Sequence, residues 1–143
     1  MDRFWLKSYQ QGVPHDIDID TYGSIIDILD NSHEKFNQHI AFSNFGTRIT
    51  FAELTQLTKA FGAYLQSLPD LNPGDRVAIM LPNILQYPIA LFGALRAGYT
   101  IVNVDPMYTP RELSYQLNDS GAKVLLFLEN FADTVEKSLP DTG

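Results

Sequence analysis

Two carboxylates, Asp105 and Glu129, each follow an apolar run of the kind that forms a buried parallel strand. Ligands of open sheets collect at the carboxyl ends of parallel strands, so this pair is a candidate site for Mg²⁺. However, Asp105 precedes a proline in a predicted turn, and Glu129 precedes a predicted helix, where acidic residues serve in turns and caps. We therefore expect both carboxylates to have structural roles.

The segment from Gly93 to Gly98 has the glycine spacing of a phosphate-binding P-loop. Tyr99 and Thr100 stand where that motif requires lysine followed by serine or threonine. The segment is also predicted to end a helix, whereas a P-loop opens one. Close packing of a helix is the predicted role of these glycines.

Histidine and serine give equally weak signals for chemistry. His33 and His39 are six residues apart, so one helix would not present both on the same face, and His15 is distant from them in sequence. His33 is expected at the edge of an apolar helix face. Ser24 lacks the second glycine of a nucleophile elbow and directly precedes a predicted helix. It is therefore predicted to cap that helix.

The last candidate is the loop from 105 to 109 together with the helix start after it. Tyr108, Pro110 and Arg111 would suit a binding edge, but Pro110 fits the first position of a helix and Arg111 is expected to be exposed. That this loop borders a ligand channel in a complete enzyme is a hypothesis. The sequence predicts no catalytic, cofactor-binding or metal-ligating residue in this chain.

These candidates would be positioned by strands that alternate with helices. Thr50 to Glu53 and Thr109 to Glu112 have the pattern of capping boxes, and Asn83 is a predicted cap of the helix after it. Apolar runs predict strands at 76–81, 100–104 and 123–128, the last fully buried, and a hairpin turn at Gly46. The apolar stripe predicted to face inward after Thr50 comprises Leu54, Leu57, Phe61, Tyr64, Leu65 and Leu68, and that of the last helix comprises Phe131, Val135 and Leu139.

This order predicts an α/β fold, with an open, mostly parallel sheet, helices on both faces and a short antiparallel hairpin. Residues 1–22 are predicted to form an irregular arm, and residues 23–143 to form the α/β unit. With no cysteine, the chain fits a reducing compartment. No apolar signal core is present at the start, so we expect a cytoplasmic location.

Composition excludes several classes of protein. The net charge of -7, from 17 acidic and 10 basic residues, argues against a nucleic-acid partner, because neutralising phosphates needs clustered lysine and arginine. The longest apolar stretch, 84–104, contains Gln86, Pro88, Arg96 and Asn103, so a buried helix and strand explain it better than a membrane span. Peripheral contact with the inner membrane stays an open alternative.

One long block carries a family resemblance. It runs from Pro82 to Leu126 and includes Gln86-Tyr87-Pro88, Val102-Asn103-Val104-Asp105-Pro106 and Tyr108-Thr109-Pro110-Arg111-Glu112-Leu113. Further matches are Ile49-Thr50-Phe51-Ala52-Glu53-Leu54, Pro73-Gly74-Asp75-Arg76-Val77-Ala78 and Asn118-Asp119-Ser120-Gly121. The chain resembles the N-terminal region of bacterial long-chain-fatty-acid:coenzyme A ligases, which are adenylate-forming enzymes.

The resemblance implies that the full-length enzyme activates a long-chain fatty acid with ATP and Mg²⁺ to an acyl-adenylate, and then transfers the acyl group to CoA. It also implies that the phosphate loop and the catalytic lysine lie further along such a chain. The remainder of the ligase is thus the expected partner of this part, and the 143 residues alone are expected to be inactive and to bind no cofactor.

Two alternatives remain open at this point. The chain is either a ligase fragment from a neighbouring branch, specific for medium-chain or aromatic acids, or a stand-alone α/β binding module without catalysis. A truncated sheet would leave an unpaired strand edge or an uncovered apolar face. We therefore expect the isolated chain to form a homodimer or to aggregate.

Overall fold

A three-stranded parallel sheet with helices on both faces, and a separate antiparallel hairpin, make up the computed structural model, which describes residues 2–142. This confirms the predicted α/β fold class. The strands are Ile40–Asn44 (β1), Thr47–Thr50 (β2), Arg76–Met80 (β3), Thr100–Asn103 (β4) and Val124–Phe127 (β5). The α-helices are Ile25–Phe36 (α1), Phe51–Gln66 (α2), Gln86–Arg96 (α3), Pro110–Ser120 (α4) and Ala132–Ser138 (α5).

Strand β3 lies at the centre of the parallel sheet, in the order β4-β3-β5. Val77 pairs with Ile101 on one side and with Val124 on the other. Successive side chains of β3 point to opposite faces of the sheet, as they do in any β-strand. Val77 and Ile79 pack into a cluster with α2 and α3, while Ala78 and Met80 pack with α4 and α5. The sheet is therefore covered on both sides, as predicted.

Local sequence signals begin three of the helices. Thr50 Oγ1 accepts the Glu53 N–H at 3.2 Å, and Glu53 Oε2 accepts the Thr50 N–H at 2.8 Å. The same reciprocal pair joins Thr109 and Glu112 at the start of α4. Ser24 Oγ accepts from the backbone of Asp27 at the start of α1. Both predicted capping boxes and the predicted serine cap are confirmed.

Helices α2 and α3 approach each other so closely that only glycine fits at two points. A Cβ on Gly62 would lie 2.8 Å from the Gly93 carbonyl oxygen, and a Cβ on Gly93 would lie 2.9 Å from Phe61 Cδ1. The buried face of α2 thus contains Thr58 and Gly62. The predicted apolar stripe was wrong at Leu57 and Tyr64, which are 41% and 58% exposed.

Strands β1 and β2 form a hairpin around Phe45 and Gly46, whose φ angles are 46° and 82°. The predicted turn is confirmed, and its two-residue loop with positive φ suits the twist of the paired strands. The hairpin is tied to the sheet, because Asn44 Nδ2 donates to the Asn83 carbonyl at 2.9 Å. Asn83 does not cap α3, since that helix begins later, after Leu85, without a side-chain cap.

Strand β5 is half-buried along its length, so the prediction of a fully buried strand was wrong. In the part of the chain that the structure describes, β5 lies at the edge of the sheet and pairs with β3 only. The last helix also differs from its predicted pattern. Val135 is buried, but Leu139 is 56% exposed because α5 ends at Ser138 and a 3₁₀ turn follows.

Residues 2–22 lack regular structure apart from a 3₁₀ helix at Phe4–Ser8, and Arg3 pairs with Asp16 at 2.6 Å. The division at residue 22 stays a prediction. The apolar stretch 84–104 forms α3 and β4. Within residues 2–142, no helix has both the length and the apolar character needed to cross a bilayer.

Candidate functional site

The carboxyl ends of the three parallel strands lead into three loops, which contain Asn83 after β3, Asp105 after β4 and Glu129 after β5. This edge is where an α/β sheet presents ligand-binding groups. The side chains found there determine what the edge can bind. The hydrogen bonds that these side chains make within the chain show which of their polar atoms are already engaged.

Asp105 is used within its own turn. Its Oδ1 accepts the Met107 N–H at 2.9 Å, and its carbonyl oxygen accepts the Tyr108 N–H at 3.2 Å. This is the local pattern by which aspartate shapes a turn before a helix. The loop that follows therefore owes its shape to Asp105, in keeping with the structural role expected of that residue.

The sheet does not bring Asp105 and Glu129 together. They follow the two outer strands, and β3 lies between them. Two strand spacings separate their backbones by about 10 Å, and the Asp105 carboxylate is directed into its own turn, where it accepts the Met107 N–H. Among residues 2–142, no cluster of three or more histidine, aspartate or glutamate residues is suited to a metal ion.

The polar end of β4 is tied to its neighbours through Asn103. Tyr87 Oη donates to Asn103 Oδ1 at 2.8 Å, and Gln116 Nε2 donates to the Asn103 carbonyl at 2.9 Å. These bonds connect α3 and α4 to the strand between them. Sequence reasoning missed this link, because the three residues belong to separate elements and no local motif relates them.

Tyr108 and Arg111 line one groove along α4, whereas Pro110 is not among its lining residues. The Tyr108 ring is partly buried against the cluster that contains Val104 and Leu113. Pro110 is the first residue of α4, as predicted, and Arg111 is exposed. Tyr108 thus packs against the core, Pro110 starts a helix and Arg111 lies on the surface. That the loop from 105 to 109 borders a ligand channel stays a hypothesis.

The segment from Gly93 to Gly98 completes α3 and does not form a phosphate loop. Gly93 is buried against α2, and its Cβ position is occupied by Phe61 and by the Thr58 carbonyl oxygen at 3.0 Å. Its backbone N–H groups lie inside or at the end of a helix. The segment from Gly93 to Gly98 therefore cannot bind phosphates in the manner of a P-loop.

The histidines lie in different surroundings. The ring of His39 lies 5.5 Å from Phe36, and that of His15 lies 6.2 Å from Tyr9. His33 is half-buried on α1, which confirms its place at the edge of the apolar face. Its charge acts on Asp30, one turn earlier on the same helix.

An ion pair that the sequence did not predict joins α1 to α3. The guanidinium of Arg96 binds the Asp30 carboxylate through both terminal nitrogens, with Nη1 3.2 Å from Oδ2. Arg96 is largely buried, with 18% of its side chain exposed. Its hydrogen bond to Asp30 lowers the pKa of that carboxyl, and the charges of Arg96, Lys59 and His33 act in the same direction. The sequence signal for this ion pair was the single arginine, Arg96, within the longest apolar stretch, because a buried arginine needs an acidic partner.

Other carboxylates also have lowered pKa values through hydrogen bonds in the folded state. The Thr50 backbone lowers the pKa of Glu53, and that of Thr109 lowers the pKa of Glu112. The Asn72 N–H lowers the pKa of Asp75, assisted by Lys123 at 2.9 Å. These three carboxylates stabilise helix caps and turns, so their lowered pKa values are explained by structural hydrogen bonds.

We expect the free energy of unfolding to fall as the pH is lowered from about 5 to about 3. A carboxyl whose pKa is lower in the folded state stabilises the protein above its unfolded pKa, and this stabilisation is lost as the pH falls through the folded pKa. Urea unfolding at several pH values would measure the decline. Asp30→Asn should reduce its slope, and an unchanged slope in that variant would contradict the role of the Asp30–Arg96 pair.

Comparison with known proteins gives a single family. The model of the AMP-binding enzyme family matches residues 29–142. A long-chain-fatty-acid–CoA ligase of Yersinia pestis is 52% identical over 96% of this chain. One from Escherichia coli is 49% identical over all of it. The crystal structure of a benzoate CoA ligase from Burkholderia xenovorans, at 24% identity, covers 82% of this chain with a TM-score of 0.77 and shows the likeness of fold.

These relatives are much longer than the sequence in hand. The chain spans 24% of the Yersinia ligase, 26% of the Escherichia ligase and 24% of the benzoate CoA ligase. It therefore spans about a quarter of the length of the proteins that it matches.

Proposed function

The chain belongs to the AMP-binding enzyme family, and from this premise we propose that it is the N-terminal part of a long-chain fatty acid:CoA ligase. The complete enzyme would use ATP to join a long-chain fatty acid to CoA as a thioester. The observation that carries this proposal is the 49% identity that extends over all 143 residues to a ligase of that substrate class.

Within such an enzyme, this part serves as scaffold. Its side chains fix helix starts, tie α1 to α3 through Arg96 and Asp30, and shape the loop after β4 through Asp105. We assign the steps that need ATP, Mg²⁺ and CoA to the rest of the longer protein, since the segment 93–98 forms the end of a helix and the Asp105 carboxylate shapes its own turn. The isolated chain is expected to be inactive.

Acyl-CoA formation should distinguish this proposal from its alternatives. We expect the full-length protein to form CoA thioesters from long-chain fatty acids, and the 143-residue chain to form none, because differential binding of the transition state requires the assembled site. The measurement is thioester release with a panel that includes octanoate and benzoate. Preference for octanoate or benzoate would contradict the long-chain assignment.

The same proposal sets the partners and the location. The remainder of the ligase chain is the principal partner, and the enzyme is proposed to act in the cytoplasm with peripheral contact to the inner membrane. Within residues 2–142, β4 and β5 each have one edge without a strand partner, which favours homodimer formation by the isolated chain, since unpaired strand edges accept further strands. A stand-alone binding module is not favoured, because the matching proteins are ligases about four times as long.

A further inference from the structure

The start of the chain contributes nothing to the apolar core. Every residue from 2 to 25 is exposed except Leu6, which is half-buried. The 3₁₀ helix Phe4–Ser8 contains no buried residue. Among residues 2–142, the three apolar clusters of the core include no side chain from this part of the chain. Its side chains are therefore available to a partner outside the α/β unit.

Many of these available side chains are large and apolar. Phe4 is 72% exposed and Trp5 is 46% exposed, and Tyr9 and Val13 are exposed to a similar extent as Trp5. The rings of Phe4 and Trp5 form an edge-to-face pair with centroids 5.4 Å apart. Clustered exposed apolar side chains of this kind mark sites of interaction.

The charges around these aromatic rings indicate what the partner is. Residues 3–15, which we call the aromatic segment, include Arg3, Lys7 and His15 and none of the 17 acidic residues of the chain. Arg3 directly precedes the 3₁₀ helix and Lys7 lies in its last turn. Since the whole chain has a net charge of -7, an anionic surface would repel most of it and attract this segment. The charge distribution thus orients the chain with the aromatic segment towards such a surface.

The acidic residues nearest in sequence set the limit of this segment. Asp16, Asp18 and Asp20 follow it directly. Asp16 pairs with Arg3 at 2.6 Å, but both side chains are more than half exposed, so the pair contributes little to stability. Arg3 can therefore exchange this carboxylate for a phosphate. The three aspartates stay hydrated, which ends the contact before residue 16.

We propose that the aromatic segment binds the surface of an anionic lipid bilayer. The Phe4 and Trp5 rings insert at the boundary between headgroups and acyl chains, while Arg3 and Lys7 contact headgroup phosphates. Aromatic side chains together with basic ones are typical of segments that lie in this boundary. The inference rests on the proposed function, because a long-chain fatty acid partitions into bilayers and a ligase for it gains from binding there.

A protein surface is the less suitable occupant. The cores of protein interfaces are depleted of lysine, whereas Lys7 lies between Trp5 and Tyr9 in sequence. At a bilayer, a lysine buries its aliphatic stem among lipid while its ammonium group reaches the headgroups. An apolar segment that contains an exposed lysine therefore suits lipid better than a protein core.

Binding of the full-length protein to vesicles would test the proposal. The probe is phosphatidylethanolamine vesicles with about one quarter phosphatidylglycerol, which gives them a negative surface. We expect the full-length protein to sediment with them, and Phe4→Ser to bind about tenfold more weakly, because it removes most of the apolar burial of one ring. Absence of binding, or equal affinity of Phe4→Ser, would overturn the proposal.

Tyr115→Ser is the matched control for the loss of an exposed ring. Tyr115 is 73% exposed on α4, in a groove that also contains Glu112 and Asp119. Its substitution should leave vesicle affinity unchanged, because the acidic neighbours keep this groove away from an anionic surface. An equal loss in Tyr115→Ser and Phe4→Ser would contradict a contact localised to the aromatic segment.

The contribution of charge has its own measurement. Lys7→Gln should weaken binding to the anionic vesicles about fivefold, as expected for one basic residue at such a surface. Its affinity for vesicles of neutral phosphatidylcholine should not change. Lys35→Gln, at an exposed residue near the end of α1, is the control and should bind like the unaltered protein. Equal effects of the two lysine substitutions would contradict a headgroup contact of Lys7.

Tryptophan fluorescence would identify the occupant of the segment. Trp5 is the only tryptophan of the 143 residues, and subtracting the emission of full-length Trp5→Phe isolates its signal. We expect this signal to shift to shorter wavelength and to be quenched by brominated lipids when vesicles are added. A signal already shielded from iodide before vesicles are added would identify a protein occupant, either the rest of the ligase or a second copy, and would overturn the proposal.

Assaying the same full-length samples for thioester formation separates this inference from the proposed function. Vesicle binding that depends on Phe4 and Lys7, without ligase activity, would support the lipid contact and contradict the ligase assignment. Ligase activity without such binding would do the reverse.

Discussion

Replacing Gly62 with valine is expected to destabilise the chain by about 3 kcal/mol, because overpacking of a tight contact forces backbone shifts. The new Cβ would lie 2.8 Å from the Gly93 carbonyl oxygen, which belongs to the backbone of α3 and cannot rotate away. Helices α2 and α3 would have to separate, and the cluster that contains Leu65, Ala90 and Ala94 would lose its packing. Urea unfolding followed by circular dichroism would measure the loss.

Ala63→Val is the matched control for this prediction. Ala63 is the next residue of α2 and is exposed, so the substitution adds a β-branched side chain to the same helix without a collision. Its expected cost is about 0.5 kcal/mol, from helix propensity alone. If both variants lost the same free energy of unfolding, the close approach of α2 and α3 would be contradicted.

Leu54→Ala is expected to cost about 3 kcal/mol, while Leu57→Ala should cost less than about 1 kcal/mol. Leu54 is fully buried with Leu29 and Ile49, so its truncation would leave a cavity between α1, the hairpin and α2. Leu57 is 41% exposed and loses only partial burial. The measurement is the free energy of unfolding of each variant in urea.

Leu54 and Leu57 also distinguish the structure from the sequence pattern, because the pattern predicted that both side chains face inward on α2. If Leu57→Ala lost as much stability as Leu54→Ala, the result would support the predicted stripe, on which Leu57 is buried. A small loss would support the structure, in which the buried face of α2 contains Thr58 and Gly62.

Features encoded within a few residues were predicted correctly. The capping boxes at Thr50 and Thr109 need only a side chain and a backbone group three residues apart. The strand runs follow from continuous apolar residues, and the turn at Gly46 follows from its backbone freedom. In each case, the signal lies in residues that are close together in the sequence.

Features that depend on distant partners were not predictable in the same way. The inward face of α2 is set by the approach of α3, where Gly93 meets Gly62, and hydrophobicity alone assigned Leu57 and Tyr64 to it. The Asp30–Arg96 pair joins residues that share no motif. The exposure of β5 follows from strand order, which an apolar run such as Val124–Phe127 does not specify.

The candidate site shows the same division. That Asp105 and the segment from Gly93 to Gly98 would serve turns and packing was expected from their immediate neighbours. The apolar cavities beside the β1–β2 hairpin were not expected, since their lining residues belong to separate elements, among them β1, α1 and α3, and meet only when these are brought together.

The position of β3 at the centre of the sheet has a consequence for synthesis on the ribosome. The central strand is made first, and β4 and then β5 emerge later to pair on its two sides. Both β4 and β5 therefore find their partner β3 already made when they emerge. Because domains fold as units from the N-terminal end during translation, we expect this sheet to form while the rest of a longer polypeptide is still being made.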